Sequence, residues 1–230
     1  MTSASGASSQ TLTPEELLGP LNEVESKFAP KRLFVAGATE LLKARPRVAI
    51  IGSRNASDDG LRRASKLAKE LVREGVVIVS GLAEGIDTAA HTTAIQLGGR
   101  TVAVIGTGLD QTFPTKNRDL QNQIAADHLL VSQFDFGTPI QRKNFPLRNR
   151  TMALVSHASV IVEAGESSGS LSQGWEALRL GRPLFLLRSL VENKALKWPA
   201  EMVEYGASVL TRTDDVLDAI PMVDYAELAF

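Results

Sequence analysis

From residue 47 onward, short runs rich in β-branched residues alternate with segments of helical periodicity, and this alternation constrains the fold more than any other feature of the chain. Between residues 61 and 72, apolar residues recur at intervals of three and four, as on one face of a helix. Apolar strands separated by amphipathic helices are typical of a parallel sheet covered on both faces. The sequence therefore predicts an α/β fold with a three-layer, doubly wound and mainly parallel sheet. The predicted strands cover residues 48–51, 76–79, 101–105, 128–131, 159–162, 183–187 and 208–210, followed by a last helix at 214–220.

The residues outside this region predict small appendages. The first eleven residues are polar and lack the basic start of a secretory signal. Thr13, Pro14 and Glu16 form a helix-capping pattern, which opens a segment of one or two helices and a short extended piece. The predicted organisation is a flexible leader at 1–11, a short helical N-terminal extension at 12–45, the α/β domain at 46–220 and a C-terminal tail at 221–230.

Composition excludes several kinds of site. The chain has no cysteine, so it forms neither disulfides nor thiolate metal sites, and its three histidines are too widely separated for a metal cage. Twenty-five basic and 26 acidic residues give a net charge of −1, so a nucleic-acid site requires a local basic patch. No apolar stretch approaches the roughly 18 residues of a membrane span. We expect a cytoplasmic protein with no metal ion and no membrane partner.

Four turns rich in glycine or serine follow the predicted strands. Ligands of such sheets bind beyond the carboxyl ends of the strands, where a glycine turn lets the backbone approach and the next helix offers N–H groups to an anion. Any compact α/β loop also uses glycine, which is the alternative interpretation of each turn. Because all four fall on one edge of the predicted sheet, together they favour a crevice that accepts phosphate groups. The turns are residues 52–54, 80–87, 106–108 and 163–170.

These turns do not match the common nucleotide-binding fingerprints. The first turn lacks the G-x-G-x-x-G pattern, and Ser80 stands where a dinucleotide site has an acidic residue for the ribose. The chain also lacks the G-x-x-x-x-G-K-[ST] loop of ATPases. We therefore expect no cofactor and no ATP hydrolysis.

The segment 141–150 is the most informative part of the sequence because it contains four cations and no acid, with Phe145 in the middle. Cations neutralise phosphates and an aromatic ring stacks on a base, a combination that suits single-stranded nucleic acid. In the alternative, Phe145 and Pro146 pack in the core and the cations form a solvated face. Composition alone does not decide between the two. The cations are Arg142, Lys143, Arg148 and Arg150.

Several motifs, in order, resemble those of the DNA-processing protein A (DprA/Smf) family over residues 45–190. The resemblance implies an extended Rossmann-like fold that binds and protects single-stranded DNA. It also implies help in loading a RecA-type recombinase during natural transformation, and a homodimer. We expect no enzymatic activity. The matching motifs are Gly-Ser-Arg at 52–54, Ser-Gly-Leu-Ala-x-Gly-Ile-Asp at 80–87, Gly-Thr-Gly-Leu-Asp at 106–110, Asn-Phe-Pro-x-Arg-Asn-Arg at 144–150, Ser-Gly-Ser-Leu at 168–171 and Gly-Arg-Pro-Leu-Phe at 181–185.

Carried over residue by residue, the resemblance implies a strand-binding groove. Arg54, and Lys143 with Phe145, lie in this groove, while Arg148 and Arg150 lie on its wall. The positions implied to face phosphates are Ser53, Gly81, Gly169 and Ser170, and Gly52 and Asn144 complete the implied DNA-binding set.

The chain departs from the family pattern in its flanks and at two motifs. Members often carry a helical N-terminal domain and a C-terminal winged-helix-like domain, whereas here only residues 1–45 and 190–230 flank the core. The usual Thr-Ala after Ser-Gly-Ser-Leu is replaced by Ser-Gln-Gly-Trp at 172–175. The usual Val-Pro-Gly after the Gly-Arg strand is replaced by Leu-Arg-Ser at 187–189.

Two other functions remain open. The related lysine-decarboxylase-like (LOG) family of nucleoside-monophosphate phosphoribohydrolases uses a P-G-G-x-G-T-x-x-E signature, whose glutamate position holds Gln173 here. An amide cannot act as a general base, and the nearby Glu163 and Glu176 lack the matching spacing. A nucleotide-sensing module would use the same glycine turns without needing Phe145 or the four cations.

Four further residues have structural interpretations. We expect His91 to be a buried, hydrogen-bonded helix residue rather than a phosphate contact. Asp87 is expected to cap the helix that carries His91. Trp175 and Trp198 are expected to be packing anchors rather than base-stacking surfaces.

Overall fold

The computed structural model describes residues 9–43 and 45–221, which build one nine-stranded sheet. The seven strands from residue 47 onward are all parallel, which confirms the predicted doubly wound α/β fold, and their boundaries differ from the predicted ones by at most one residue. The strands are β1 (Ser9–Leu12), β2 (Leu33–Gly37), β3 (Arg47–Gly52), β4 (Val77–Ser80), β5 (Thr101–Ile105), β6 (Leu129–Ser132), β7 (Ala158–Glu163), β8 (Leu184–Leu187) and β9 (Ser208–Leu210). Their order in the sheet is β1-β2-β6-β5-β4-β3-β7-β8-β9.

Helices cover both faces of the sheet. They are α1 (Pro14–Leu18), α2 (Glu23–Phe28), α3 (Asp58–Arg73), α4 (Ile86–Gln96), α5 (Arg118–Asp127), α6 (Asn144–Val155), α7 (Ser170–Arg179), α8 (Arg188–Val191), α9 (Trp198–Glu204) and α10 (Asp214–Leu217), with 3₁₀ turns at Thr39–Leu42 and Thr115–Asn117. Alternate residues of β3 enter two cores: Val48 and Ile50 pack with α3 and α4, whereas Ala49 and Ile51 pack with α6. This alternation produces the three predicted layers. Among the described helices, none combines the length and the apolar character needed to cross a bilayer.

The N-terminal extension contains α1 and α2 and also a strand, β2, where the sequence predicted a short extended piece. Residues 33–37 form β2, which pairs antiparallel with β6, and residues 9–12 form β1, which pairs antiparallel with β2. Without β2, the N–H and C=O groups on one edge of β6 would lack partners, and an added strand satisfies them. Residues 9–11 of the predicted leader therefore belong to the sheet. The rest of the leader, and residues 222–230 of the predicted tail, lie outside the described residues.

The predicted caps and packing anchors are confirmed in part. Thr13 and Glu16 form the reciprocal capping box at the start of α1. Trp198 is buried in the core, and Trp175 packs edge-on against Tyr205 with ring centroids 5.4 Å apart. The predicted last helix ends at residue 217 rather than 220.

His91 is fully buried in α4, as expected. Its Nδ1 lies 2.7 Å from the Thr101 hydroxyl, which itself donates to the Ile78 carbonyl. The hydroxyl proton is thus committed to Ile78, so Nδ1 carries the ring proton and donates to Thr101. His91 Nε2 has no partner among the described residues, and burial lowers the pKa of His91 to about 3. The ring is therefore neutral in the folded protein at ordinary pH.

This neutral ring predicts a loss of stability in mild acid. The unfolded chain protonates His91 near its ordinary pKa of about 6.5, whereas the folded chain does not, so stability falls as the pH drops through that value. Between about pH 7.5 and 5.5, His91 should contribute about 1.4 kcal/mol of this loss. His91→Gln keeps a donor for Thr101 but does not titrate, so urea unfolding of this variant should show a pH-dependent loss smaller by that amount. Equal losses in parent and variant would contradict a neutral, buried His91.

Candidate nucleic-acid interface

A crevice opens where the strand order reverses. Strands β3 to β6 progress to one side of β3, and the chain then returns so that β7 lies on its other side. The turns after β3 and β7 therefore diverge at the carboxyl edge, the position where ligands bind in open α/β sheets. The crevice encloses about 570 Å³. It is lined by residues of the turns after β3, β4 and β7 and of α6 and α7, among them Gly52, Ser53, Arg54, Asn55, Asp87, Phe145, Arg148, Asn149, Ser168, Gly169 and Ser170.

The turn after β3 is held on both sides by backbone hydrogen bonds. Ser53 N–H donates to the Glu163 carbonyl at 2.7 Å, and the Ser53 carbonyl accepts from Ile86 N–H at 3.2 Å. Gly52 is required there, because a Cβ would lie 2.6 Å from the Ile86 side chain and 2.8 Å from the Glu163 carbonyl oxygen. This anchoring leaves the Arg54 side chain exposed at the mouth of the crevice.

The turn after β4 is organised by Asp87. One carboxylate oxygen accepts from Gly81 N–H at 3.1 Å and from Ala83 N–H at 3.3 Å, while Leu82 between them has a φ of +59°. The prediction that Asp87 caps α4 is wrong, because Gly85 is the cap residue and Asp87 lies in the first turn of the helix. Its side chain reaches back to the preceding turn instead.

Arg148 forms the floor of the crevice. Its side chain is 6% exposed, and Nη1 donates to the Val104 carbonyl at 3.1 Å and lies 4.0 Å from the Asp87 carboxylate. A Cβ on Gly81 would lie only 1.3 Å from the same Nη1, so only glycine leaves room for the guanidinium. Burial raises the pKa of Asp87, and the charge of Arg148 opposes that rise. Burial likewise lowers the pKa of Arg148, with Asp87 opposing. Each group thus favours the charged form of the other.

Phe145 separates the crevice from a second, smaller cavity. The ring is half-buried, 2.9 Å from the position of a Cβ on Gly106 and 5.4 Å from the Phe113 ring centroid. The Arg54 guanidinium carbon lies 5.3 Å from the centroid of the Phe145 ring, within range of a cation–π contact. The smaller cavity holds about 170 Å³ and shares Arg54, Phe145 and Arg148 with the crevice. The ring is therefore neither fully solvated nor a core residue.

The four cations of segment 141–150 do not form one cluster. Arg142 and Lys143 are exposed before α6, and neither lines the crevice. Positions 148 and 150 lie about 200° apart around a helix, so they point in opposite directions. Arg150 points away from the crevice, with its Nε 3.4 Å from Glu176 and its guanidinium 5.5 Å from the Phe28 ring centroid. The expectation that Arg150 lies on the wall of the groove is therefore wrong.

The remaining predicted residues have defined positions. Asn144 is buried and donates to the Pro139 carbonyl at 3.1 Å, so it fixes the start of α6 rather than facing the crevice. Gly169 and Ser170 line the crevice at the start of α7. Asn149, which the sequence analysis missed, donates to the Gly169 carbonyl at 3.0 Å and to the Ser172 hydroxyl at 2.7 Å. Its position directly after Arg148, inside the family motif at 144–150, could have identified Asn149 as a site residue.

The acidic side chains of Glu163 and Glu176, near the crevice, are hydrogen-bonded or ion-paired to other protein groups. Glu163 accepts from the backbone N–H and the hydroxyl of Ser57, which begins α3. Glu176 is ion-paired to Arg150 and Arg179. Gln173 is fully buried and donates to the Ser159 hydroxyl at 2.8 Å. Among the described residues, no group of three or more His, Asp and Glu side chains is arranged to hold a metal ion.

A doubly wound sheet with a phosphate-compatible crevice at its switch point, and without a dinucleotide fingerprint, defines a Rossmann-like ligand-binding protein. Comparison with known families narrows this class. The chain belongs to the family described as DNA recombination-mediator protein A, whose model matches residues 11–221. The resemblance found in the sequence motifs is thereby confirmed.

Similar proteins come from several bacteria. The DNA processing protein DprA of Streptococcus pneumoniae is 41% identical over 189 residues, covering 82% of this chain and 66% of that protein. Protein Smf of Synechocystis is 36% identical over 224 residues, covering 95% of this chain and 56% of that protein. The chain thus spans somewhat more than half of the length of these relatives.

Solved structures show the same fold. The S. pneumoniae DprA structure has a TM-score of 0.79 at 36% identity and covers 93% of this chain and 75% of that one. A structure of Helicobacter pylori DNA processing protein A has a TM-score of 0.78 at 28% identity, and the match covers 93% of this chain and 95% of that one. That structure concerns the single-stranded DNA binding mode of the H. pylori protein. A molybdenum cofactor binding protein from Rippkaea orientalis has a TM-score of 0.56 at 18% identity and shares the fold alone.

The close approach of Gly81 to Arg148 predicts an unusually costly substitution. In Gly81→Ala the new Cβ displaces the guanidinium, so Asp87 stays buried without its cation. Breaking a buried pair in this way should lower the free energy of unfolding by about 3 kcal/mol in urea unfolding. Gly165→Ala is the matched control on the same edge, because its Cβ would meet nothing within 4 Å, and it should change stability by no more than about 0.5 kcal/mol. Equal stabilities of the two variants would contradict this account of the crevice floor.

Proposed function

We propose that this chain is a single-stranded DNA-binding, DNA-processing protein that holds the strand in the crevice and does not hydrolyse it. The observation that carries the proposal is the Phe145 ring, which is partly exposed between two cavities and has the Arg54 guanidinium carbon 5.3 Å from its centroid. An accessible aromatic face accepts any base, and an adjacent cation accepts the phosphate of the same nucleotide. A duplex, whose bases are already stacked on one another, cannot use that ring.

The lining of the crevice suits a phosphate backbone. Arg54 is exposed at its mouth and Arg148 is buried in its floor, while Ser168 and Ser170, whose hydroxyl groups are hydrogen-bonded to each other, line one side. Arginine, hydroxyl and backbone N–H groups are the usual contacts to phosphate and sugar. The local excess of cations accounts for DNA binding by a chain whose net charge is −1.

The positions of the carboxylates argue against a phosphoribohydrolase. A hydrolase of the LOG type needs a free glutamate in the crevice, but Gln173 is buried at that position. Glu163 and Glu176, the two nearby substitutes, are bound to Ser57 and to two arginines. Asp87, the acidic residue that does line the crevice, is engaged by the turn after β4 and by Arg148. A nucleotide-sensing module is the remaining alternative, and it would prefer a mononucleotide to an oligomer.

A binding titration tests the proposal. A fluorescent single-stranded oligonucleotide should bind more tightly than its duplex, and a mononucleotide should compete poorly. Phe145→Ala should weaken binding by about 1–3 kcal/mol through lost stacking. Arg54→Ala should weaken binding and make the slope of log affinity against log salt shallower by about 0.7, one phosphate contact.

The matched control for the charge change is Arg100→Ala. Arg100 is an exposed arginine at the opposite edge of the sheet, just before β5 begins. This variant should bind like the parent. Tighter binding to duplex, or release of free base or shorter fragments, would contradict the proposal.

We also propose that the bound strand is protected and passed to a RecA-type recombinase, and that the chain acts as a homodimer. Membership of the DNA recombination-mediator protein A family supports both statements. In a filament-assembly assay on coated single strands, the parent should shorten the lag before a RecA-type protein assembles, and Arg54→Ala should not. Light scattering should give twice the mass of the 24.7 kDa chain. An unchanged lag would contradict the loading role, and the mass of one chain would contradict the dimer.

A further inference from the structure

A second groove lies on the same edge of the sheet as the crevice. Leu187 and Leu210 end the paired strands β8 and β9 on one side of this groove, and α3 forms the other side. The groove holds about 400 Å³. Strand β9 lies two strand spacings, about 10 Å, from β7, whose carboxyl end borders the crevice. The groove is therefore within reach of a strand that leaves the crevice along this edge.

The groove is basic. Two of its cations have acidic partners: Lys66 Nζ lies 3.8 Å from Glu70, and Arg212 is paired with Asp214. Arg63 and Arg188 are exposed and have no carboxylate partner among the described residues. The charged lining residues are Arg63, Lys66, Arg188 and Arg212 against Glu70 and Glu192.

Arg63 spans the groove. Its Nη1 donates to the Ser189 hydroxyl at 2.7 Å, so the guanidinium is held between α3 and α8, the helix that directly follows β8. Arg188 and Ser189 occupy positions where the family pattern has Pro and Gly. The Arg188 cation, and the Ser189 hydroxyl that orients Arg63, are therefore departures from that pattern. Cations with nearby hydroxyls are typical of contacts to a nucleic-acid backbone.

We infer that this groove binds the phosphates of the same DNA strand beyond the crevice, an inference that rests on the proposed function. No aromatic residue lines the groove in the part of the chain that the structure describes, so it offers no surface for stacking a base. A backbone track needs only cations and hydroxyl groups. The crevice thus holds bases and phosphates near Phe145, and the groove extends the site along the backbone.

The test compares two lengths of single-stranded DNA. The short one is a thymidine dinucleotide, which at about 3.4 Å or more per nucleotide is too short to occupy both the crevice and the groove. The long one is a thymidine oligonucleotide of about 16 nucleotides, which lies within the range of known single-strand sites and reaches past the crevice. The double variant Arg63→Ala/Arg188→Ala should bind the short one within about twofold of the parent and the long one more weakly. Two lost contacts reduce the salt slope by about 1.4. For the long oligonucleotide, raising the salt from about 50 to about 200 mM should therefore weaken binding by the double variant about sevenfold less than binding by the parent.

Two further variants refine the test. Arg62→Ala changes the preceding residue of α3, which pairs with Asp59 and does not line the groove, and it should bind both lengths like the parent. Arg188→Pro/Ser189→Gly gives the family sequence at the start of α8, where a proline is tolerated, and it should weaken only the longer oligonucleotide.

Two outcomes separate this inference from the proposed function. Equal binding of the long oligonucleotide by the parent and the double variant, or equal weakening of both lengths, overturns the inference and leaves the crevice intact. A parent that binds neither length overturns the proposed function as well. Unchanged melting temperatures of the exposed-site variants establish that the differences arise from lost contacts.

Discussion

Arg148 carries a positive charge into a part of the protein that water barely reaches. Burial of an unpaired ion there would destabilise the fold by several kcal/mol. The guanidinium is stabilised instead by a hydrogen bond to the Val104 carbonyl and by the nearby carboxylate of Asp87. The same carboxylate binds the N–H groups of Gly81 and Ala83, so one charge pair joins α6, the end of β5 and the turn after β4. The geometry of the crevice depends on this junction, because α6 and the turn after β4 both contribute to its lining.

Cations are concentrated at the carboxyl edge of the sheet, although the net charge of the whole chain is −1. Arg54 and Arg148 belong to the crevice, and Arg63 and Arg188 belong to the groove beyond β8 and β9. Carboxylates near these residues are largely bound to helix starts or to other arginines, as Glu163 is to Ser57. The arrangement favours retention of a polyanion over chemistry on it, since general acid–base work needs a carboxylate that is free to exchange a proton.

The sequence predicted the seven parallel strands and most of the crevice, because buried parallel strands are continuous apolar runs and their ends share one edge. It predicted a short extended piece within residues 12–45 but not the antiparallel pairing of β2 with the distant β6, because that pairing has no local signature. Adjacent cations were interpreted as one cluster, yet α6 turns Arg148 inward and Arg150 toward Glu176. The role of Asp87 depends on the fold of the preceding turn, which residue types alone do not show.

The Phe145 ring is a common wall of two cavities, and this has a thermodynamic consequence. Any tilt that enlarges the space on one side of the ring reduces it on the other, since Gly106 and Phe113 limit its movement. A ligand that tilts the ring toward one cavity therefore lowers the affinity of the other cavity, and by reciprocity the effect is the same in both directions.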